Sequence, residues 1–185
     1  MAEALPVPDR MTVAEFLSWE PGGDARYELV EGQPVMMNPA KLRHLDVQDN
    51  LSRLLLPFLD RPCRLLGNVG VLLDAETDTY LEADMAISCE PRSPDQQHLL
   101  EPKLVVEVLS PSTRAHDFTH KLPRYWDMPS LQEILYISST ERSVRHWRHE
   151  DQSWIMATVI GKGSVRLVTV EASVDLDEVY RDVVF

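Results

Sequence analysis

Apolar residues recur along the chain with two different periods. Leu42, Leu45, Leu51, Leu55, Phe58 and Leu59 broadly follow the spacing of an amphipathic helix with one buried face. Asn38 as the cap and Pro39 at the first helical position predict where that helix starts. The apolar runs at residues 85–87 and 104–109 are short and dense in valine, isoleucine and leucine, which predicts strands covered on both faces. These strands form the centre of a sheet.

The remaining elements follow from caps and turns. Thr12-Val13-Ala14-Glu15 is a capping box and predicts a short helix running to Trp19. Residues 27–30 and 34–37 predict a hairpin turned by Gly32, with Glu28 in its first strand. Residues 63–66 and 69–73 read as two successive strands around Gly67-Asn68, and residues 90–102, with three prolines and no apolar period, as an exposed connection. A helix is expected from His116 or Asp117 to just before Pro129, kinked or delayed by Pro123. Beyond it come a strand at 133–138, a hairpin of 144–149 with 154–160 over Asp151-Gln152, a strand at 165–170 and a short acidic-capped helix at 175–180.

Composition narrows the class. A chain of 185 residues, 44% hydrophobic and 26% charged, fits a single soluble domain over 1–185, with residues 1–10 expected to be flexible. The absence of a long apolar run and of a basic, apolar leader predicts a cytoplasmic protein without a membrane partner. Cys63 and Cys89, which form no CxxC pair, are expected to be reduced core residues. The net charge of −12 argues against a nucleic-acid partner unless a local basic face exists, and Arg142, Arg145, His146, Arg148 and His149 gather where one could form. On that ground Arg142, Arg145 and Arg148 are the candidate nucleic-acid contacts.

The candidate chemistry lies between residues 81 and 125. Asp84 and Glu107 end two apolar runs, and Lys121 follows on a predicted helix. Phosphodiester hydrolysis needs a divalent cation to acidify a water and offset phosphoryl charge. Mg2+ or Mn2+ suits one or two carboxylates with water. Asp84 and Glu107 on neighbouring strands supply such a pair, the Val108 carbonyl a further ligand, and Lys121 a group to orient the water. A rival is His116-Asp117-Phe118-Thr119-His120, which has zinc-binding i, i+4 histidines but the shorter aspartate where the HExxH motif has its glutamate. His44, near the start of the long helix, reads as a solvated first-turn histidine.

From Tyr27 to Ser138 the sequence resembles the Uma-type nucleases of the PD-(D/E)XK superfamily. The resemblance rests on YELVEGQPV at 27–35, His44, Ala83-Asp84, KLVVEVLSPST at 103–113, and Asp117, Lys121 and Tyr125 at four-residue spacing. It implies a restriction endonuclease-like α/β fold, with a mixed central sheet flanked by helices and an N-terminal helix and hairpin. It also implies a Mg2+ or Mn2+ site on Asp84 and Glu107, a catalytic lysine moved to the following helix at Lys121, and Glu28 as a further acidic site residue. Ala83 replaces the usual proline, and Ile134-Leu135-Tyr136-Ile137-Ser138 departs from the Tyr-Trp and aspartate that often follow. The expected activity is endonucleolytic cleavage of DNA, with a homodimer by analogy. The alternative is a non-catalytic nucleic-acid or protein binding module that keeps the fold.

Overall fold

The computed structural model describes residues 9–22, 25–73 and 78–185. The segment expected to be flexible, 1–10, lies outside these except for its last two residues. A seven-stranded mixed sheet forms the centre. Its strands are β3 (Arg64–Val71), β4 (Leu81–Ser88), β5 (His98–Leu99), β6 (Pro102–Leu109), β7 (Glu133–Ser138), β8 (Ser143–Glu150) and β9 (Ser153–Ile160), in the order β5-β3-β4-β6-β7-β8-β9. β6 and β7 run parallel, as do β3 and β5, and the other neighbours are antiparallel.

Alternation along the strands sends side chains to two separate cores. Met85, Ile87, Leu104, Val106, Val108, Leu135 and Ile137 pack on one face against Val47, Leu51 and Leu55 of α2 (Leu42–Leu55). That core is completed by α5 (Leu176–Val179) and a small separate hairpin of β10 (Ser164–Leu167) and β11 (Ala172–Asp175). Ala86, Val105, Leu109, Ile134, Tyr136 and Trp147 face the other way and meet Leu122 and Tyr125. These last two belong to a compound helix made of α3 (Arg114–His116), a π turn at Asp117–Lys121, and α4 (Leu122–Trp126). In the π turn the Leu122 amide donates to the Asp117 carbonyl. The wider turn accommodates Pro123, which has no amide and whose ring would clash with a carbonyl four residues back.

The N-terminal unit docks beside this sheet. α1 (Val13–Ser18) carries the expected Thr12–Glu15 capping box. β1 (Tyr27–Val30) and β2 (Gln33–Met36) form the expected hairpin, with Glu31 and Gly32 both at positive φ in the turn. Leu29 and Tyr80 exchange two backbone hydrogen bonds of 2.8 Å, and Leu29 joins Met11, Val13, Leu72 and Tyr80 in a third apolar cluster. Gly70 lies under Tyr80: a Cβ there would stand 1.8 Å from the phenol oxygen and 2.4 Å from Cζ. Gly70→Ala is therefore expected to destabilise the fold by about 2 kcal/mol through overpacking, read as a lower urea midpoint at unchanged slope.

Several expectations need correction. Cys63 and Cys89 form a disulfide, because they stand immediately beyond the paired Arg64 and Ser88 at the ends of β3 and β4. Residues 63–73 hold one strand rather than two, with Asn68 taking a positive φ inside it instead of turning the chain. α2 begins at Leu42 after Lys41, so Asn38 does not cap it. The connection at 90–102 contributes the two-residue strand β5. The strand expected at 165–170 ends at Leu167 and pairs with β11, outside the central sheet. Among the described residues no helix is long and apolar enough to cross a membrane.

Candidate active site

Asp84 sits where the sheet loses its regularity on both sides. The β3–β4 ladder passes from Gly67–Met85 to Val69–Ala83, leaving out Asn68 and Asp84, and the β4–β6 ladder begins only at Met85–Val106. In place of strand pairing, the Asp84 Oδ2 accepts the Val108 amide at 2.6 Å, and its carbonyl accepts Gln48 Nε2 at 3.1 Å. His44 Nε2 lies 3.0 Å from the other carboxylate oxygen. His44 is thus no solvated helix residue: the start of α2 leans on the site and holds Asp84 in place. Tethering by α2 is a relation between distant segments that spacing cannot show.

Glu107 shares its face of the sheet with Val105 and Leu109, under the compound helix, and is 2% exposed. Its two oxygens accept Lys121 Nζ at 3.2 and 3.3 Å, and Oε1 also accepts the Tyr125 hydroxyl at 2.6 Å. Lys121 bonds further to Glu28 Oε1 at 2.6 Å and to the Glu82 carbonyl at 2.7 Å, with Asp117 Oδ1 at 4.0 Å. Glu28 arrives from β1, alternating with Leu29. Its Oε1 accepts the Glu82 amide at 3.0 Å, and its Oε2 lies 3.2 Å from His116 Nε2. The structure therefore gathers Glu28, Glu107 and Lys121 directly, with Asp84 linked to the same strand end through Val108.

The electrostatics follow from three carboxylates, Glu28, Glu107 and Asp117, sharing one buried ammonium, with Asp84 near by. Burial pushes Glu107 well above the usual carboxylate range; Lys121 opposes this, while Asp84, Asp117 and Glu28 add to it. Burial likewise lifts Asp117 to about 6. Burial also raises Glu28, but Lys121 and the hydrogen bonds from His116, Lys121 and the Glu82 amide outweigh it and hold Glu28 low. Burial disfavours the Lys121 charge, yet Glu107, Glu28 and Asp117 together keep it protonated, above an ordinary lysine. Tyr125 is held well above its ordinary value by burial and then by Glu107, so it remains a donor.

The histidines and arginines are distributed differently from the simplest reading of their spacing. His116 turns Nε2 to Glu28, and its ring centroid is 5.1 Å from that of His120. Arg142 pairs with Asp177 and donates to the Leu176 carbonyl, and Arg148 pairs with Glu150. Strand alternation puts Arg145 and Arg148 on opposite faces of β8, so the three arginines do not make one basic surface. Arg145 shares the face of Glu107. A concavity of about 840 Å3 between α1 and the connection before β6 is lined by none of the cluster residues.

Tyr125, Asp117 and Gln48 complete the arrangement. For the first two the sequence held a signal, since Asp117, Lys121 and Tyr125 recur every four residues on one helix face. Gln48 carried none, because its partner is a backbone carbonyl 36 residues away.

A mixed sheet with carboxylates at an interrupted strand, roofed by a helix that supplies a lysine, defines a restriction-endonuclease-like α/β protein. The chain belongs to the Uma2 family, described as "Putative restriction endonuclease", whose model matches residues 13–177. This membership supports a nuclease function in general terms. Two proteins of Synechocystis sp. are similar along most of their length. Uncharacterized protein slr1290 is 30% identical over 95% of this chain and 94% of its own, and uncharacterized protein sll1609 is 31% identical over 83% and 90%. The crystal structure of a putative nuclease belonging to DUF820 from Anabaena variabilis matches with a TM-score of 0.68 at 16% identity. The match covers 92% of this chain and 97% of that one, and it establishes the shared fold.

Proposed function

We propose that the protein is a metal-dependent endonuclease that hydrolyses phosphodiester bonds in DNA. The observation that carries this reading is the convergence of Glu28, Glu107 and Asp117 on the buried Lys121 ammonium, beside an Asp84 freed from strand pairing. The donor set fits a hard divalent cation. Glu28, Asp84, Glu107 and Asp117 outnumber Lys121, and burial raises Glu107 and Asp117 although Lys121 opposes it. Mg2+ and Mn2+ are held by one or two carboxylates with water and substrate phosphate, a number that Asp84 and Glu107 can supply; among the described residues no three His, Cys, Asp or Glu side chains are grouped as a metal site.

Asp84 and Glu107 would hold the ion, with the Val108 carbonyl as a further ligand. The ion would acidify a water and offset charge on the phosphoryl oxygens. The other roles belong to the protein. Val108 and His44 fix the Asp84 carboxylate, and Tyr125 fixes Glu107. Glu107, Glu28 and Asp117 together hold Lys121 protonated, so its ammonium can orient the attacking water and stabilise the developing negative charge.

The test is incubation of the purified protein with supercoiled plasmid and Mg2+ or Mn2+, with a chelator arm and Asp84→Ala. Nicking should appear only with the metal, and Asp84→Ala should lose it by at least about a hundredfold. Absence of nicking by the intact protein, or equal nicking by Asp84→Ala, overturns the reading.

A further inference from the structure

The strands beyond the site form a surface that the cleavage reading does not use. Glu107 on β6 registers with Tyr136 on β7, Tyr136 with Arg145 on β8, and Arg145 with Thr158 on β9. All four point to the same face, since register partners in a sheet share a side. Arg145 is thus two strand spacings from Glu107, about 10 Å, or roughly three nucleotides at the rise of a stacked strand.

Of the three clustered arginines, Arg145 alone has no carboxylate within ion-pair distance among the described residues, and Arg114 likewise has none. Both guanidinium groups lie over the Phe118 ring, at 4.9 and 6.0 Å from its centroid. Next to them β9 carries no charged residue along its whole length, although the chain has a net charge of −12. On the Arg145 side of β8 and β9 lie His149, Trp154 and Met156. Trp154 is 5.1 Å from His149 between ring centroids and donates to the carbonyl of Trp126, itself 42% exposed. The nearest acidic residues in sequence are Asp117 for Arg114, Glu141 for Arg145, Asp127 after Trp126, Asp151 in the β8–β9 turn, and Glu150, which is paired with Arg148; Asp117 is turned toward Lys121.

From this placement we infer that the outer β8–β9 surface is a track for a single-stranded nucleic acid leading to Glu107. Arg145 and Arg114 take backbone phosphates, and Trp154 with His149 and Trp126 stack unpaired bases. The inference rests on the nuclease reading and adds the substrate's form. Aromatic platforms favour single strands because an unpaired base offers its π face, whereas duplex bases are stacked on one another. The free cations meet the phosphate charge that the acidic remainder of the protein repels.

The track is tested by binding alone, with chelator present so that hydrolysis cannot intervene. Fluorescence anisotropy is read on labelled oligothymidine and oligouridine of about 16 nucleotides, a length at the upper end of single-strand site sizes, and on a blunt hairpin duplex. The single strands should bind more tightly than the duplex. Arg145→Ala and Trp154→Ala should each weaken single-strand binding by roughly tenfold, and Arg145→Ala should lower the salt slope by about one. Thr158→Glu, at an exposed position, tests the same surface without touching the core and should also weaken binding roughly tenfold through charge repulsion. Arg166→Ala, on β10, should bind like the parent. Tighter duplex binding, no binding, or parental affinity in Arg145→Ala and Thr158→Glu overturns the track. If plasmid nicking persists while these binding results fail, the track alone is wrong; if binding holds while nicking is absent, cleavage is.

Discussion

Lys121→Ala should abolish phosphodiester hydrolysis and also destabilise the fold by about 3–5 kcal/mol at mildly alkaline pH. Lys121 is 4% exposed, and its ammonium is the cation shared by Glu28, Glu107 and Asp117. Its removal leaves those carboxylates buried without compensation. The activity loss is expected to reach at least about a hundred- to a thousandfold, the scale seen when a preorganised charge-stabilising donor is deleted. The pH dependence has a definite sign. Glu107 and Asp117 already have folded pKa values above the unfolded ones, Asp117 at about 6; loss of Lys121 raises them further and removes part of what holds Glu28 low. Such groups favour the folded state when protonated, and that stability is lost as pH rises through the folded pKa. Urea melts should therefore show the gap between parent and variant narrowing as pH falls below Asp117's value. A gap that is constant or widens toward acid would show that Lys121 does not compensate these carboxylates.

Glu133→Ala is expected to cost about 3 kcal/mol with little effect on the site itself. Glu133 is fully buried at the start of β7 and accepts the Val168 amide at 3.1 Å and the Thr169 amide at 2.7 Å, with His146 Nε2 at 2.8 Å. The carboxylate ties the chain leaving β10 to the central sheet, and alanine would take the acceptor from two part-buried amides and from the buried His146. For a chain of this size the loss corresponds to a melting point lower by about 6–12 °C. Burial raises the Glu133 pKa, but the bonds from His146, Thr169 and Val168 outweigh it and hold the group below its ordinary value. Its contribution is then present above the unfolded pKa and lost as pH falls. Glu133→Gln, which keeps an acceptor oxygen, should lose less. Equal melting of Glu133→Ala and parent would show that the β10–β11 hairpin docks through its apolar side chains alone.

In both variants the gap to the parent narrows toward acid, but for different reasons. Lys121 compensates carboxylates that would rather be neutral. Glu133 is a carboxylate that its neighbours keep charged.

Much of this arrangement was legible before the fold was known. Dense β-branched runs placed Asp84 and Glu107 on strands, and the spacing of Asp117, Lys121 and Tyr125 placed three polar groups on one helix face. The period of two along β8 also contained the separation of Arg145 from Arg148, which a count of basic residues concealed. His44 reads as solvated from the sequence because a first-turn histidine has no partner within local reach. Its partner is 40 residues away. The same limit hid the Cys63–Cys89 disulfide, since pairing depends on the register of β3 against β4 and not on either cysteine's neighbours.

By itself, then, the sequence determined which residues alternate, which lie on a helix face, and which segments are too apolar to stay in water, because these properties depend on neighbours a few residues away. Only the tertiary structure decided that Asp84 escapes strand pairing, that Glu28 crosses from the N-terminal hairpin to meet Lys121, and that of the three clustered arginines Arg145, on the Glu107 face, is the one with no carboxylate partner among the described residues. Each of these depends on register and docking between distant segments. A shift of a single residue would turn the same side chains to the opposite face of the sheet.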